Sequence, residues 1–173
     1  MDGIGQDNLK ETGTANDIEK IYNSVGEISA KIKEVIWSLN TENDNLTNLL
    51  SYIQKQVRLW LEHYPCKLAI NIPDIIPDLQ ISGESRRNIF LIVKEAVHNI
   101  IKHSEADKVV IKMDCDNEQL VITISDNGKG INDEQSNSGG NGMKNIRQRI
   151  EKLNGKFIIT NKEGLTLIAK IPL

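Results

Sequence analysis

The residues from Ile89 to Ser104, IFLIVKEAVHNIIKHS, constrain this chain more than any other stretch. Ile89, Ile92, Val93, Ala96, Val97, Ile100 and Ile101 recur at helical spacing, and neither Gly nor Pro interrupts them. The pattern predicts a helix buried around most of its circumference. Polar residues on such a helix carry information, because each costs free energy unless it meets a partner. At roughly 100° per residue, Asn99, Lys102 and His103 fall within about 80° of Glu95, and His98 lies about 60° to the other side. An acid, a carboxamide, an ammonium and an imidazole one turn apart are able to serve a water or hydroxyl, a hard cation and phosphate oxygens together. A hydrogen-bonded or solvent-facing edge accounts for the same stripe, and the helix alone leaves both readings open.

Length and charge limit what can surround this helix. At 173 residues the chain has room for one domain of ordinary size with an accessory element. A net charge of −3 with both signs interspersed gives no basic footprint for nucleic acid and no polybasic arm for a membrane. Cys66 and Cys115 are widely spaced with no metal-ligand pattern around them, as expected of reduced thiols in a cytoplasmic protein. No apolar run reaches the roughly 18 residues of a membrane span.

Residues 1–16 are polar and aperiodic and are expected to form a disordered leader or linker remnant. Ile18, Ile21, Val25, Ile28, Ile32, Val35 and Leu39 then alternate spacings of three and four, a heptad seam that predicts self-association or bundle packing through 18–39. Ser38 to Asn45 breaks the period, and Thr41 with Asp44 resembles a capping pair restarting a helix. Helical period returns from Leu46 to Tyr64 and stops at Pro65. CKLAINIP alternates as a strand, and Ser82 is placed to cap the central helix.

Beyond the central helix, KVVIKMDC and QLVITISDN are predicted strands joined through Asp116, Asn117 and Glu118. The second runs into Asp126, Gly128 and Gly130. Asp126 there is open to two readings: an Asx turn, or an acceptor for an exocyclic amine with the glycines beside a flat base. Ile131 to Gly142 is turn-rich and unpatterned, as a lid would be. Met143, Ile146, Ile150 and Leu153 mark a helix whose first turn, following Gly139, Gly140 and Gly142, offers free N–H groups to an anion. KFIIT and LTLIAKIP are expected to close the chain as two strands.

Three spaced signals coincide: E-x-x-x-N-x-x-K-H at Glu95, Asn99, Lys102 and His103; D-x-G-x-G at Asp126, Gly128 and Gly130; and G-x-G-M from Gly140 through Gly142 to Met143. Their order and separation resemble the N, G1 and G2 boxes of the ATP-binding domain shared by sensor histidine kinases, Hsp90, gyrase B and MutL. The compact lid, the KHS after the N box and the IWSLN helix resemble most the nitrate-sensor and DesK-like branch of two-component histidine kinases. The resemblance implies an α+β fold, the two-layer Bergerat sandwich of a mixed sheet covered on one face by helices. It also implies a partial dimerisation helix at 17–40 and an ATP-binding catalytic domain at 41–173.

It further implies a Mg²⁺-ATP site in which Asn99 coordinates the metal and Glu95 is the catalytic carboxylate. Lys102 and His103 would contact phosphate or ribose, Asp126 would read the adenine amine beside Gly128 and Gly130, and Gly140, Gly142 and Met143 would hinge the lid. Two departures stand out. The family's Thr after the glycine of the last hairpin is replaced by Leu165 after Gly164, leaving Thr166 one place late as the adenine-side Thr. The phosphoacceptor His followed by an acid is also missing, since only His63, His98 and His103 occur. The implied partners are a phosphoacceptor helix of the same kinase and a response regulator receiver domain. A nucleotide-gated interaction module and an anti-sigma serine kinase are the alternatives.

Overall fold

The computed structural model describes residues 17, 18, 20–22, 24–26, 28, 29, 31–37, 40–116, 118–130 and 141–173. The expected leader 1–16, Leu39, and the lid from Ile131 to Gly140 lie outside them. The chain divides into two units between Asn40 and Thr41. In the first, the described positions from 17 to 37 are helical (α1), and Ile18, Ile21, Val25, Ile28, Ile32 and Val35 are each more than half exposed.

The second unit is built on a five-stranded mixed sheet of order β1-β2-β3-β5-β4. Its strands are β1 (Lys67–Asn71), β2 (Lys108–Cys115), β3 (Gln119–Asp126), β4 (Lys156–Lys162) and β5 (Gly164–Pro172). β1 pairs with β2 in parallel, and all other neighbours are antiparallel. The β2–β3 turn forms because the Asp116 carboxylate accepts the N–H groups of Glu118 and Gln119, both at 2.8 Å. Period-two alternation then sends Val109, Ile111 and Met113, Leu120, Ile122 and Ile124, and Leu167, Ala169 and Ile171 to one face, where all are buried. The opposite face stays open to solvent, as one face of an antiparallel sheet can.

Helices α2 (Leu46–Trp60), α3 (Gly83–Asn99) and α4 (Asn141–Lys152) cover the buried face, giving the expected α+β two-layer architecture. Ser82 caps α3 as its sequence predicts, accepting the Ser85 N–H at 3.1 Å. The start of α2 differs from the capping pair expected at Thr41 and Asp44. Thr41–Asn43 form a single 3₁₀ turn and Asn45 is the cap, accepting the Asn48 N–H at 2.8 Å. Asp44 instead pairs with the buried Arg86 of α3 at 3.0 Å, an ion pair that engages its carboxylate. α2 also ends at Trp60, before the expected Tyr64.

The central helix is not α-helical throughout. After Asn99 it widens into a π turn over Ile100–Ser104 and stops at Glu105, whose φ of 55° is left-handed. α4 ends at the left-handed Asn154, with the Gly155 N–H returning to the Ile150 carbonyl at 2.9 Å. The Arg149 guanidinium donates to Asn88 Oδ1 at 3.0 Å, and the Arg147 guanidinium lies 5.3 Å from the centre of the Phe157 ring. These contacts tie α4 to α3 and to β4, which fixes where its first turn meets the central helix.

Candidate functional site

β3 ends in Asp126, and alternation from Leu120, Ile122 and Ile124 carries its side chain to the helix-covered face, where it is 4% exposed. Its Oδ1 accepts the Gly128 N–H at 2.9 Å, and the Leu165 N–H also donates to the carboxylate. The Asx turn is therefore real, but two accepted bonds do not exhaust the lone pairs of a carboxylate. Burial pushes the Asp126 carboxyl above the usual carboxylate range, against the pull of those two N–H donors. Beside it lies a narrow cavity lined by Ala96, Asn99, Met143, Leu165 and Leu167. The cavity as it stands, about 10 Å³, has room for about one water, but an apolar lining with one carboxylate has the chemistry to meet a flat ring bearing an amine.

The loop after Asp126 lies against the π turn. A Cβ on Gly128 would run into the Ser104 carbonyl, which accepts the Lys129 N–H at 2.9 Å. Ser104 is held in turn: its hydroxyl donates to the Ile100 carbonyl at 2.9 Å and lies 3.2 Å from the Tyr64 hydroxyl. Asn127 pins the loop from the other side, its Oδ1 accepting the Asp107 and Lys108 N–H groups at 3.2 and 2.9 Å. Gly130 adopts a left-handed φ of 69°, which a side chain would strain.

Glu95 and Asn99 are half-buried on the side of α3 facing the start of α4. A Cβ on Gly142 would collide with Glu95 Oε1 and lie 3.3 Å from Asn99 Oδ1, so both oxygens point at the first turn of α4. The Asn99 amide nitrogen donates to Met143 Sδ at 3.7 Å, which leaves its oxygen as the outward acceptor. Among the described residues no three His, Cys, Asp or Glu side chains cluster to hold a metal unaided. Asn99 Oδ1, a hard oxygen donor at the first turn of α4, fits Mg²⁺, which binds proteins through one or two groups and takes the rest from phosphates and water.

The structure thus brings Glu95, Asn99, Asp126, Gly128, Gly142 and Met143 around one cleft, with Gly130 at its loop; Gly140 lies outside the described residues. Lys102 and His103 stand exposed on the π turn. His98 leaves the stripe, packing edge-on against Trp60 of α2 with centroids 5.6 Å apart. Thr166 does not belong to the set either. Its hydroxyl bonds Ser125 at 2.8 Å on the open face of the sheet, because strand parity gives the cleft to Leu165.

Sequence reasoning marked Leu165 only as a departure from the family and assigned no role to Leu165, Asn127 or Ser104. The first was signalled by parity from Gly164, while the other two act through partners about 20 and 40 residues distant, which no local pattern reveals.

Comparison with known proteins agrees with this geometry. Residues 84–173 match the family model described as histidine kinase-, DNA gyrase B-, and HSP90-like ATPase. The chain is similar to the sensor histidine kinase DesK of Bacillus subtilis, 29% identical over 181 residues, covering 99% of this chain and 48% of DesK. It is also similar to the histidine-protein kinase/phosphatase DegS of Brevibacillus brevis, 25% identical over 166 residues, covering 91% and 41%. The chain therefore spans less than half the length of these relatives. The histidine kinase domain of a blue-light activated kinase from Erythrobacter litoralis shares the fold, with a TM-score of 0.62 at 23% identity over 72% of this chain and 61% of that one. No helix among the described residues is long and apolar enough to cross a membrane. The match over more than half of the chain, on a five-stranded mixed sheet covered on one face by helices, shows that the chain belongs to the histidine kinase-, DNA gyrase B-, and HSP90-like ATPase family.

Proposed function

We propose that this domain binds Mg²⁺-ATP in the cleft between Asp126 and Gly142 and presents the γ-phosphoryl group to a histidine outside the three in this sequence. The observation that carries the reading is Asp126, a buried carboxylate with spare acceptor capacity at the end of an apolar slot. Adenine would enter between Leu165, Leu167 and Met143 and donate its amine to Asp126. Asn99 would hold Mg²⁺ through Oδ1, and the metal, when bound, supplies charge neutralisation of the phosphates. Gly142 would let backbone N–H groups approach those phosphates without a side chain between them, and the sequence motif extends that role to Gly140. Exposed Lys102 and His103 suit the outer phosphate or ribose oxygens. Glu95 is placed to accept a proton from, or orient, the attacking imidazole.

The acceptor would sit on a phosphoacceptor helix of the same kinase, paired with α1 in a homodimer through 18–39, in a cytoplasmic setting. A response regulator receiver domain would take the phosphoryl group onward. Support for α1 as a dimer element is its exposed seam. Labelled Mg²⁺-ATP with a synthetic acceptor hairpin carrying a His-Asp or His-Glu pair tests the reading: acid-labile label should appear on the hairpin and not on this chain. Label on the chain itself, or no ATP binding in the presence of Mg²⁺, would overturn it.

A further inference from the structure

The face of the sheet turned away from the nucleotide cleft is strongly basic, although the unit that contains it is not. Thr41 to Leu173 hold 17 acidic and 17 basic residues. The strand register nevertheless places Lys67 of β1, Lys108 and Lys112 of β2, Lys156 and Lys162 of β4 and Lys170 of β5 on this one face, all exposed. Asp114 is the single acid among these strand positions, and it is already paired with Lys112 at 2.8 Å. Between the lysines lie half-buried Val110, Val121 and Ile168 and exposed Ile158, with Thr123, Ser125, Thr166 and Thr160.

Two features separate this from an ordinary solvated face. Lys67 stands directly opposite Lys108, and Lys156 directly opposite Lys170, cross-strand like-charge pairs that weaken a sheet. Lysines on the edge strands β1 and β4 guard against edge pairing. That role does not extend to Lys108, Lys112 and Lys170, which lie on interior strands. The face holds no arginine, although Arg58, Arg86, Arg87, Arg147 and Arg149 occur on the helices. Arginine is the residue for fixed, forked recognition of a carboxylate or phosphate, whereas lysine is a mobile point charge. Among the strand positions of this face no aromatic side chain stands to stack a base.

We infer that this open sheet face docks on an anionic lipid surface, with the lysines at the phosphate and carboxylate headgroups and the shallow apolar centre against the interface. Five strands at about 4.8 Å give a patch about 20–25 Å across, spanning several headgroups. Because the helices and the nucleotide cleft lie on the other side of the sheet, a docked domain keeps its cleft open to solvent.

The test uses the full chain with sedimented vesicles of phosphatidylcholine alone or with about 30% phosphatidylserine. The chain should partition onto the anionic vesicles, not onto the neutral ones, and should detach as salt rises from about 0.05 to about 0.5 M. Each lysine near such a surface is worth about fivefold, so Lys112→Gln, Lys156→Gln and Lys170→Gln combined should lower partition by about a hundredfold. The Mg²⁺-ATP-induced melting shift of that variant should be unchanged, which shows an intact fold. Equal loss with Lys20→Gln, Lys55→Gln and Lys152→Gln on the helices would overturn the face assignment. Tighter binding to polyglutamate or to single-stranded DNA than to anionic vesicles would overturn the lipid assignment.

Discussion

Replacing Asp126 by Asn separates the two things its carboxylate does. In the folded chain one oxygen accepts the Gly128 N–H at 2.9 Å, and the carboxylate also receives the Leu165 N–H. An Asn side chain keeps one carbonyl oxygen for the turn but sets an NH₂ group where an acceptor stood. With that oxygen keeping both backbone N–H groups, the NH₂ faces the adenine amine, a donor against a donor, at a cost of about 1–3 kcal/mol, or about 5- to 150-fold in affinity. The ligand-free fold should respond the other way. Burial raises the folded pKa of Asp126 above its unfolded value, so its protonation stabilises the fold fully below the unfolded pKa, and that contribution is lost as pH rises through the folded one.

At neutral pH the wild-type chain carries the cost of a buried charge, which the neutral amide removes. Without nucleotide, Asp126→Asn should melt no lower than wild type at pH 7, and its advantage should shrink as pH falls toward the carboxylate range. Calorimetric melting with and without Mg²⁺-ATP reads both effects. A variant that retains the full ATP-induced shift would reduce Asp126 to a turn residue, and one that loses about 2 kcal/mol or more of ligand-free stability would make the carboxylate structural.

Three further outcomes are expected. Asn99→Ala should abolish phosphoryl transfer to an acceptor hairpin and remove the Mg²⁺ dependence of ATP affinity, while Glu95→Gln should slow transfer more than it weakens binding; labelled-phosphate incorporation with parallel titration distinguishes them. Gly128→Ala forces a Cβ into the Ser104 carbonyl, a backbone group with little room to yield, and should cost about 1–3 kcal/mol in urea unfolding and weaken ATP binding. Ile28→Asp with Ile32→Asp, at positions 56% and 54% exposed in the single chain, should turn a sedimenting dimer into a monomer without lowering the melting temperature of the catalytic unit. An unchanged oligomeric state would refute the seam as an interface.

The sheet was legible in the sequence because β2 and β3 alternate without a slip and Asp116 marks their turn, both local properties. α3 was legible for the same reason, down to its Ser82 cap. The failures share a different cause. On an ideal wheel His98 lies about 60° from Glu95, nearer than His103 at about 80°, and only the arrival of α2, bringing Trp60, decides that its flank is structural. Thr166 was misplaced by one position, and in a strand one position exchanges the faces. Asn45 displaced Thr41 as a cap because Asp44 is drawn to Arg86, which lies more than 40 positions along the chain.

The π turn at Ile100–Ser104 has a consequence for chain length. Such a turn is equivalent to one residue inserted into an α-helix. Upstream of it, Glu95 and Asn99 keep an α-helical register against Gly142 and Met143; downstream, the surplus residue rotates Ser104 inward to meet Tyr64 and Lys129. Deleting any one residue from Ile100 to His103 would restore an unbroken α-helix and swing the Ser104 carbonyl by about 100°, away from the loop that Asp126 begins. Here the count of residues between Asn99 and Ser104 matters more than their identity. A substitution at the exposed Lys102 or His103 should leave the carbonyl in place, whereas a single-codon deletion should unfasten the loop from the helix.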